Sequence, residues 1–500
     1  MAIPLPIIAS SLKGHSSFTF PSEKPAPPPL LTQNNNRFQE RLKKLELATR
    51  RTLPVVLTRV LSERNESTAQ QEEEKKKLSQ YWREIHGENN WSGYLDPMDP
   101  LLRSELIRYG DMVQACYDSF NYDPYSQYCG SCNYSPRTLF ESLGLTFLGY
   151  EVSRYLYATA DIKLPNFFKN PISSKVWSRS ANWIGYVCVS NDETSAKLGR
   201  RDIAIAWRGT VTRLEWVADL LDYLKPVTSA KIPCPDPTVT VESGFLDVYT
   251  NKDKDCRFCK YSAREQVLTE MRSLMLKYPN EELSITVTGH SLGAALAVLS
   301  AYDIVESGLN KTEDGRTVPV TVFSFAGPRV GNVRFKNRVE GLGVKVLRVV
   351  NVNDDVPKVP GMILNENDPT FLQKLTDKLP WSYSHVGVEL ALNNKHSPYL
   401  KETNDPLDFH NLEAYLHLLD GYQGKDKKFK LSDDRDIALV NKSSDFLNNE
   451  LVVPPSWWQA AYKGMVKKDG RWVEPERPTM EDHPSEMAHH MKQLGLDSDS

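Results

Sequence analysis

The sequence lacks a strong net charge and any apolar run long enough to span a membrane. Its 61 basic and 64 acidic side chains leave a formal net charge of -3, so no global positive field attracts a nucleic acid. The longest near-continuous apolar run, Leu292 to Val305, is shorter than the about 20 residues that cross a bilayer. We therefore expect no nucleic-acid partner and no transmembrane segment, in a protein that is soluble or sits on a membrane surface.

Cysteine is also sparse. The seven cysteines are too few, and odd in number, for a secreted disulfide scaffold. Two Cys-x-x-Cys pairs, Cys129 with Cys132 and Cys256 with Cys259, suggest a zinc or redox site. More than a hundred residues separate the pairs, whereas the two pairs of a zinc module lie about 15–20 residues apart. We expect reduced thiols and no bound metal.

The first 36 residues contain one acidic side chain, Glu23, and no arginine, and they are rich in Ser, Thr, Pro and Asn. This composition is typical of a transit peptide, and the missing arginine favours a plastid over a mitochondrion. A secretory signal is the alternative, but its apolar stretch, "IPLPIIA", is short, interrupted by proline and not preceded by basic residues. We predict a plastid transit peptide over residues 1–50 and a chloroplast location.

Composition also divides the rest of the chain. A polar charged linker is predicted over residues 51–80 and a folded domain over residues 81–425. Within that domain, apolar strand patterns alternate with helical ones, which predicts an α/β fold with a mainly parallel sheet and helices on both faces. We predict a packed C-terminal extension over residues 426–475 and a disordered tail over residues 476–500.

A candidate nucleophile lies in "ITVTGHSLGAALAVL", where Gly289-His290-Ser291-Leu292-Gly293 fits the Gly-x-Ser-x-Gly elbow between a strand and a helix. Glycines at positions 289 and 293 allow the helix to pack close to the strand. The helix N-terminus offers backbone donors to an anion, among them the N–H of Leu292. The pattern predicts that Ser291 is a nucleophile, although a serine that only caps the helix has the same sequence.

The base of such a serine is expected after Ser291 in the chain. His410 ends a polar loop directly before the helical pattern "NLEAYLHLLDGY", which would brace it. His385 alternates with apolar residues in a strand pattern and is the other candidate, while His417 falls inside the helix. Placement favours His410.

The carboxylate that orients the base is expected at the end of a strand between the serine and the histidine. In "VKVLRVVNVNDDVPKVP" an apolar strand leads into a turn that carries Asp354 and Asp355. Either residue is in position to act, and either could only cap the turn.

The segment after "DIAIAWRG" could complete the site. Thr210 stands just beyond the end of this strand, where its backbone N–H and hydroxyl could stabilise an oxyanion. An amphipathic segment follows and is a candidate lid over an apolar cleft. Its apolar residues are Leu214, Trp216, Val217 and Leu220.

The motifs "WRGT", "GHSLGAALA", "FAGPRVGN", "VVNVNDDVPKVP" and "HNLEAYLH" together resemble the class 3 lipase family of α/β hydrolases over roughly residues 202–422. The flanking segments resemble those of plant plastid phospholipases of the A1 class. By this resemblance Ser291 matches the nucleophile, Asp354 the carboxylate and His410 the base. Asp355 stands where the family usually has an apolar residue, and His385 matches a strand that is not catalytic.

The resemblance also implies that Thr210 is the oxyanion residue and that the lid begins at Val211. The implied activity is hydrolysis of the sn-1 acyl ester of phospholipids and galactolipids, without metal or organic cofactor and through peripheral contact with membrane glycerolipids. A triacylglycerol lipase, a carboxylesterase for soluble esters and a catalytically silent lipid or hormone receptor are the alternatives. The sequence indicates neither the headgroup preference nor the oligomeric state.

Overall fold

The computed structural model describes residues 78–123, 126, 128–159, 181–210, 223–256, 258–360, 382–432, 435–458, 466–468 and 471–473. The predicted transit peptide, most of the predicted linker and the predicted C-terminal tail lie outside these ranges. The four residues of the predicted lid, Leu214, Trp216, Val217 and Leu220, also lie outside them.

The described strands form one large sheet and two small ones. Their bounds are β1 Tyr150–Thr159, β2 Ala181–Ser190, β3 Arg201–Trp207, β4 Leu224–Pro226, β5 Thr240–Glu242, β6 Leu283–His290, β7 Val320–Phe325, β8 Gly331–Asn332, β9 Lys345–Asn351, β10 Tyr383–Ser384, β11 Val388–Leu392, β12 Val466–Lys468 and β13 Arg471–Val473. The large sheet has the order β1-β2-β3-β6-β7-β9-β11. Strands β1, β2 and β3 pair antiparallel, and every pairing from β3 to β11 is parallel.

The described α-helices cover both faces of this sheet. Their bounds are α1 Pro100–Ser119, α2 Leu139–Ser142, α3 Asp192–Leu198, α4 Ser243–Thr250, α5 Ala263–Lys277, α6 Leu292–Glu306, α7 Val333–Gly341, α8 Pro406–Phe409 and α9 Leu412–Gly421. Side chains alternate across a strand, so Ile203 and Ile205 of β3 join the core beneath α4 to α7, while Ala204 and Ala206 join the core with α1 and α9. The predicted α/β-hydrolase architecture is confirmed.

Residues 435–458 pack onto the helices of one face. Arg435 forms ion pairs with Asp111 of α1 and Glu413 of α9, and Lys442 pairs with Asp118 near the end of α1. These contacts join the C-terminal part of the chain to the two helices that approach the sheet beside Ser291. No described helix is long and apolar enough to cross a membrane.

One cysteine pair corrects the expectation of reduced thiols. Cys256 and Cys259 form a disulfide, with their Cα atoms 5.4 Å apart, a separation that a disulfide spans. The thiol of Cys132, in the other pair, contacts the hydroxyl of Tyr155. Within the described ranges, no cluster of three or more His, Cys, Asp or Glu side chains is arranged to hold a metal ion.

Candidate active site

Ser291 occupies a sharp turn between β6 and α6. Its backbone has φ 61° and ψ -127°, a conformation that is uncommon for a residue with a Cβ atom and is often found at functional sites. The Ser291 N–H donates to the carbonyl of Phe325 at 3.0 Å, which fixes the turn against β7. The side chain makes no capping hydrogen bond to α6, so helix capping does not explain the serine. Its Oγ is buried without a hydrogen-bond partner in the described part of the chain.

The two glycines of the motif allow this turn to pack. A Cβ atom at Gly289 would lie 2.2 Å from the carbonyl oxygen of Gly293, and one at Gly293 would lie 2.3 Å from the carbonyl oxygen of Trp207. Both distances are far shorter than a van der Waals contact. The close approach of β3, β6 and α6 behind Ser291 therefore requires glycine at both positions, as the sequence predicted.

His410 lies in the turn between α8 and α9, next to a buried carboxylate. Its Nδ1 is 2.6 Å from Oδ2 of Asp354, which follows the carboxyl end of β9. The other oxygen, Oδ1, accepts the backbone N–H of Val356 at 2.9 Å. This bond and the Nδ1 contact fix the orientation of the carboxylate.

Asp355, the alternative carboxylate, points elsewhere. Its side chain is 59% exposed and forms an ion pair with Lys358 at 3.0 Å. Adjacent residues in this turn direct their side chains differently, so only Asp354 reaches His410 among the two candidates.

A tyrosine of the helical pattern after His410, Tyr415, holds the same carboxylate. Its hydroxyl donates to Oδ2 of Asp354 at 2.7 Å and accepts the backbone N–H of Asn351 at 3.0 Å. Because α9 carries Tyr415 and begins just after His410, one helix positions two groups around Asp354. The sequence signal that could have indicated this role is a tyrosine on an apolar helix face, because a buried tyrosine hydroxyl needs a hydrogen-bond partner.

We expect Tyr415→Phe to lower kcat by about 10- to 100-fold with little change in KM. The substitution removes one of the hydrogen bonds to a buried carboxylate, and a hydrogen bond to a charged group contributes about 1.5–3 kcal/mol. Steady-state kinetics on an acyl ester would measure the effect.

Tyr249→Phe is the matched control, because the Tyr249 hydroxyl also contacts a buried carboxylate, that of Asp303, on the other face of the sheet. The control should retain kcat. An unchanged kcat in Tyr415→Phe, or the same loss in both variants, would contradict a positioning role for Tyr415.

The other histidines considered from the sequence lie away from Asp354. His385 contacts the carbonyl oxygen of Pro357 through Nε2 at 2.7 Å, and burial holds its pKa well below the usual value. His417 contacts the hydroxyl of Ser397 at 2.7 Å, and burial lowers its pKa to about 4. Both rings therefore have local structural contacts, and neither is brought to the carboxylate.

His290, directly before Ser291, packs against His410. The two ring centroids are 4.6 Å apart, and Nδ1 of His290 lies 2.8 Å from the hydroxyl of Tyr117 in α1. Burial and the nearby His410 hold the pKa of His290 well below its usual value, so this ring is neutral at neutral pH. A neutral imidazole fixed by Tyr117 thus lines one side of His410 and adds no opposing charge. No pattern in the sequence indicated this contact.

The turn that follows β3 lies beside Ser291. A Cβ atom on Gly209 would come within 3.1 Å of the Ser291 Cβ, so Thr210, the next residue and half-buried, is near the serine. Arg208 fixes the turn from behind, because its buried guanidinium lies over the ring of Phe120 and donates to the carbonyl of Trp183. Leu292, the second predicted donor, is the first residue of α6.

The site as a whole combines a buried serine on a strained turn, a histidine that packs against the residue before that serine and a carboxylate that binds this histidine. This arrangement is suited to nucleophilic attack on an ester or amide carbonyl.

Comparisons with known proteins give the family. The model of the family "Lipase (class 3)" matches residues 204–364.

Two curated plant proteins match most of the chain. Phospholipase A1-Igamma2, chloroplastic, of Arabidopsis thaliana is 61% identical over 431 residues, which cover 85% of this chain and 82% of that protein. Phospholipase A1-Igamma1, chloroplastic, of the same plant is 61% identical over 424 residues, which cover 84% and 82%. Among solved structures, a lipase from Rhizopus microsporus var. chinensis is 19% identical with a TM-score of 0.36, over 61% of this chain and 78% of that chain.

The two plant relatives agree with the expectations drawn from the motifs. Both plant proteins are named chloroplastic, so the predicted chloroplast location is confirmed, as is the predicted enzyme class. The chain belongs to the class 3 lipase family, in which its relatives are plant chloroplast phospholipases A1, and it is a carboxylic ester hydrolase that acts on lipids.

Proposed function

We propose that the protein cleaves the sn-1 acyl ester of membrane glycerolipids, both phospholipids and galactolipids, and that Ser291, His410 and Asp354 carry the reaction. The observation that supports this most directly is the 2.6 Å contact between His410 and Asp354, in which the His410 ring also packs against His290, the residue before Ser291. The name of the plant relatives, phospholipase A1, supports the choice of lipid ester.

In the proposed reaction, Nε2 of His410 takes the proton from Oγ of Ser291 as that oxygen attacks the ester carbonyl. Asp354 holds the imidazole in the tautomer that presents Nε2 to the serine, and it stabilises the imidazolium that forms. The backbone N–H of Leu292 and the N–H and hydroxyl of Thr210 stabilise the oxyanion. Donors stabilise an oxyanion most effectively when they are held in place before the charge develops.

Breakdown of the intermediate separates the two products. His410 returns the proton to the glycerol oxygen, which leaves as lysolipid, and the acyl chain stays on Ser291 as an ester. Water, deprotonated by His410, then releases the fatty acid. Each proton transfer uses a side chain of this protein, so the proposed reaction requires neither a metal nor an organic cofactor.

Access to the site is proposed to depend on the lid predicted from Val211 onward. Leu214, Trp216, Val217 and Leu220 lie outside the described residues and remain the predicted lid. Apolar residues at these positions would cover the cleft in water and contact acyl chains at a membrane.

The positional claim can be tested with lipids that carry a different fatty acid at each position. Purified mature protein should release chiefly the sn-1 acid from phosphatidylcholine and from monogalactosyldiacylglycerol presented in identical mixed micelles, with the Ser291→Ala variant as the background control. Products are measured by mass spectrometry at early times, before acyl groups migrate. Faster release of the sn-2 acid would contradict the positional claim.

The same panel separates the other enzyme classes. Triolein in the same micelles would be the preferred substrate of a triacylglycerol lipase, and a short-chain ester dissolved as monomers would be that of a soluble carboxylesterase. No turnover of any ester would indicate a silent lipid-binding protein.

A further inference from the structure

Residues 451–458, Leu-Val-Val-Pro-Pro-Ser-Trp-Trp, form a surface segment with no charged side chain. We refer to it as the 451–458 loop. Val452 is 86% exposed and Trp457 is 40% exposed, and the residues from 454 to 456 are exposed as well. Single exposed apolar residues are common, but a continuous exposed apolar stretch marks an interaction surface.

The backbone of this loop holds the apolar side chains outward. Val452 has φ 55° and Ser456 has φ 45°, and a left-handed conformation is especially unfavourable for a β-branched residue such as valine. The indole N–H of Trp457 donates to the carbonyl of Ala438 at 2.7 Å, which fixes the ring while much of it remains exposed. The exposed apolar surface is therefore held by defined contacts.

The same loop is anchored to the residue that follows His410. The side-chain amide of Asn411 donates to the carbonyl of Val440 and to the hydroxyl of Ser444, each at 2.9 Å. The carbonyl of Ser444 accepts the backbone N–H of Ser456 at 2.9 Å. Only two residues, Asn411 and Ser444, thus separate the loop from the candidate base.

A second anchor fixes the two ends of the loop. The buried side chain of Asn441 donates to the carbonyl of Val453 at 3.2 Å, and its backbone carbonyl accepts the N–H of Trp457 at 3.3 Å. The loop is therefore a rigid part of the protein surface near the candidate site.

Two further exposed apolar residues lie close in the chain to His410 and Asp354. Leu407 lies on α8, just before His410, and Val352 lies just after β9, in the turn that carries Asp354; both are exposed. The Phe409 ring of α8 packs against Phe446, eleven residues before Trp457, with centroids 6.1 Å apart. Exposed apolar side chains thus stand next to the elements that carry His410 and Asp354 as well as on the loop.

We propose that the 451–458 loop docks on the surface of a lipid bilayer, with Val452 and Trp457 inserted at the boundary between headgroups and acyl chains. The loop offers no charge to a charged partner, and a tryptophan whose N–H is already satisfied suits this boundary. Docking there would orient the candidate site toward membrane lipids. The inference rests on the proposed function, because it identifies the membrane as the surface from which substrate is taken.

Vesicle binding tests the inference without hydrolysis if all variants carry Ser291→Ala. The test variant adds Val452→Asn, since asparagine tolerates a positive φ, and Trp457→Gln, which keeps an N–H donor near Ala438. Co-sedimentation with vesicles of pure phosphatidylcholine should show binding at least about tenfold weaker than in the Ser291→Ala parent.

Phe147→Gln in the same background is the matched control. Phe147 is 72% exposed and precedes β1 at the opposite end of the sheet from Ser291, as the pairings from β1 through β6 show. This variant should bind vesicles within about twofold of the parent. Unchanged binding in the loop variant, or equal loss in the control, would overturn the inference.

Two further measurements complete the test. With Ser291 restored, the loop variant should lose at least about tenfold in turnover of vesicle lipids and keep its turnover of a short-chain ester dissolved as monomers. Equal loss on both substrates would show that the loop only supports His410, and a change of oligomeric state in analytical ultracentrifugation would show a contact between copies. Either result would overturn membrane docking. Since vesicle binding is measured on inactive protein, a failure of membrane docking can be distinguished from a failure of the proposed hydrolysis.

Discussion

Ser291→Ala is expected to reduce turnover of acyl esters by about a million-fold, the size of triad losses in a serine protease. The fold should be retained, because the Ser291 Oγ makes no hydrogen bond within the described residues and alanine keeps the Cβ atom. Steady-state kinetics on mixed micelles and thermal unfolding followed by circular dichroism measure the two quantities.

Ser300→Ala is a matched control on α6, the helix that follows Ser291. The Ser300 hydroxyl is buried, accepts the indole N–H of Trp207 at 3.0 Å and donates to the Leu296 carbonyl at 2.7 Å. Loss of the Ser300 hydroxyl should lower the free energy of unfolding by about 1 kcal/mol and leave turnover of the folded protein nearly unchanged. A folded Ser291→Ala protein that keeps more than a few per cent of activity would contradict the proposed mechanism.

Asp354→Asn is expected to lower kcat by about ten-thousand-fold, as the equivalent substitution does in a serine protease, because the amide favours the wrong tautomer of the histidine. The buried Oδ2 of Asp354 faces His410 and also accepts from Tyr415, so the loss cannot be compensated by water. Single-turnover kinetics would show whether acylation itself is slowed.

Asp355→Asn is the control provided by the chain itself. Asp355 is largely exposed, and within the described residues its one ion pair is with Lys358. An exposed ion pair contributes about 0–1 kcal/mol to the free energy of unfolding. We expect a change in kcat of less than about threefold. A larger loss in Asp355→Asn than in Asp354→Asn would reassign the orienting carboxylate.

The sequence predicted the parts of the structure that depend on neighbouring residues. The alternation of apolar strands and helices predicted a mainly parallel sheet, which is confirmed. The small residues around Ser291 predicted a tight strand–helix turn, because only glycine fits at positions 289 and 293. Placement alone left Asp354 and Asp355 open, since both stand in one turn; the family resemblance favoured Asp354, whose carboxylate lies at His410.

Other features depend on contacts between distant segments and left no local pattern. Tyr117 and His290 are 173 residues apart in the chain, and Asn411 meets Ser444 only because the C-terminal part of the chain packs across α1 and α9. The expectation of reduced thiols was wrong for Cys256 and Cys259, because overall cysteine count does not report the geometry of one turn. Amino-acid composition indicates the general class of a protein, whereas contacts between particular side chains depend on how the chain folds.

The central claim is that Ser291 is the nucleophile and that His410 activates it. A p-nitrophenyl alkylphosphonate tests this directly, because the Oγ of an activated serine attacks the phosphorus, forms an Oγ–phosphorus bond and displaces p-nitrophenolate. Intact mass and peptide mapping should find one adduct per chain, on Ser291, formed at least about a thousandfold more slowly in His410→Ala. Adduct on another residue, or equally fast labelling of Ser291 without His410, would contradict the account.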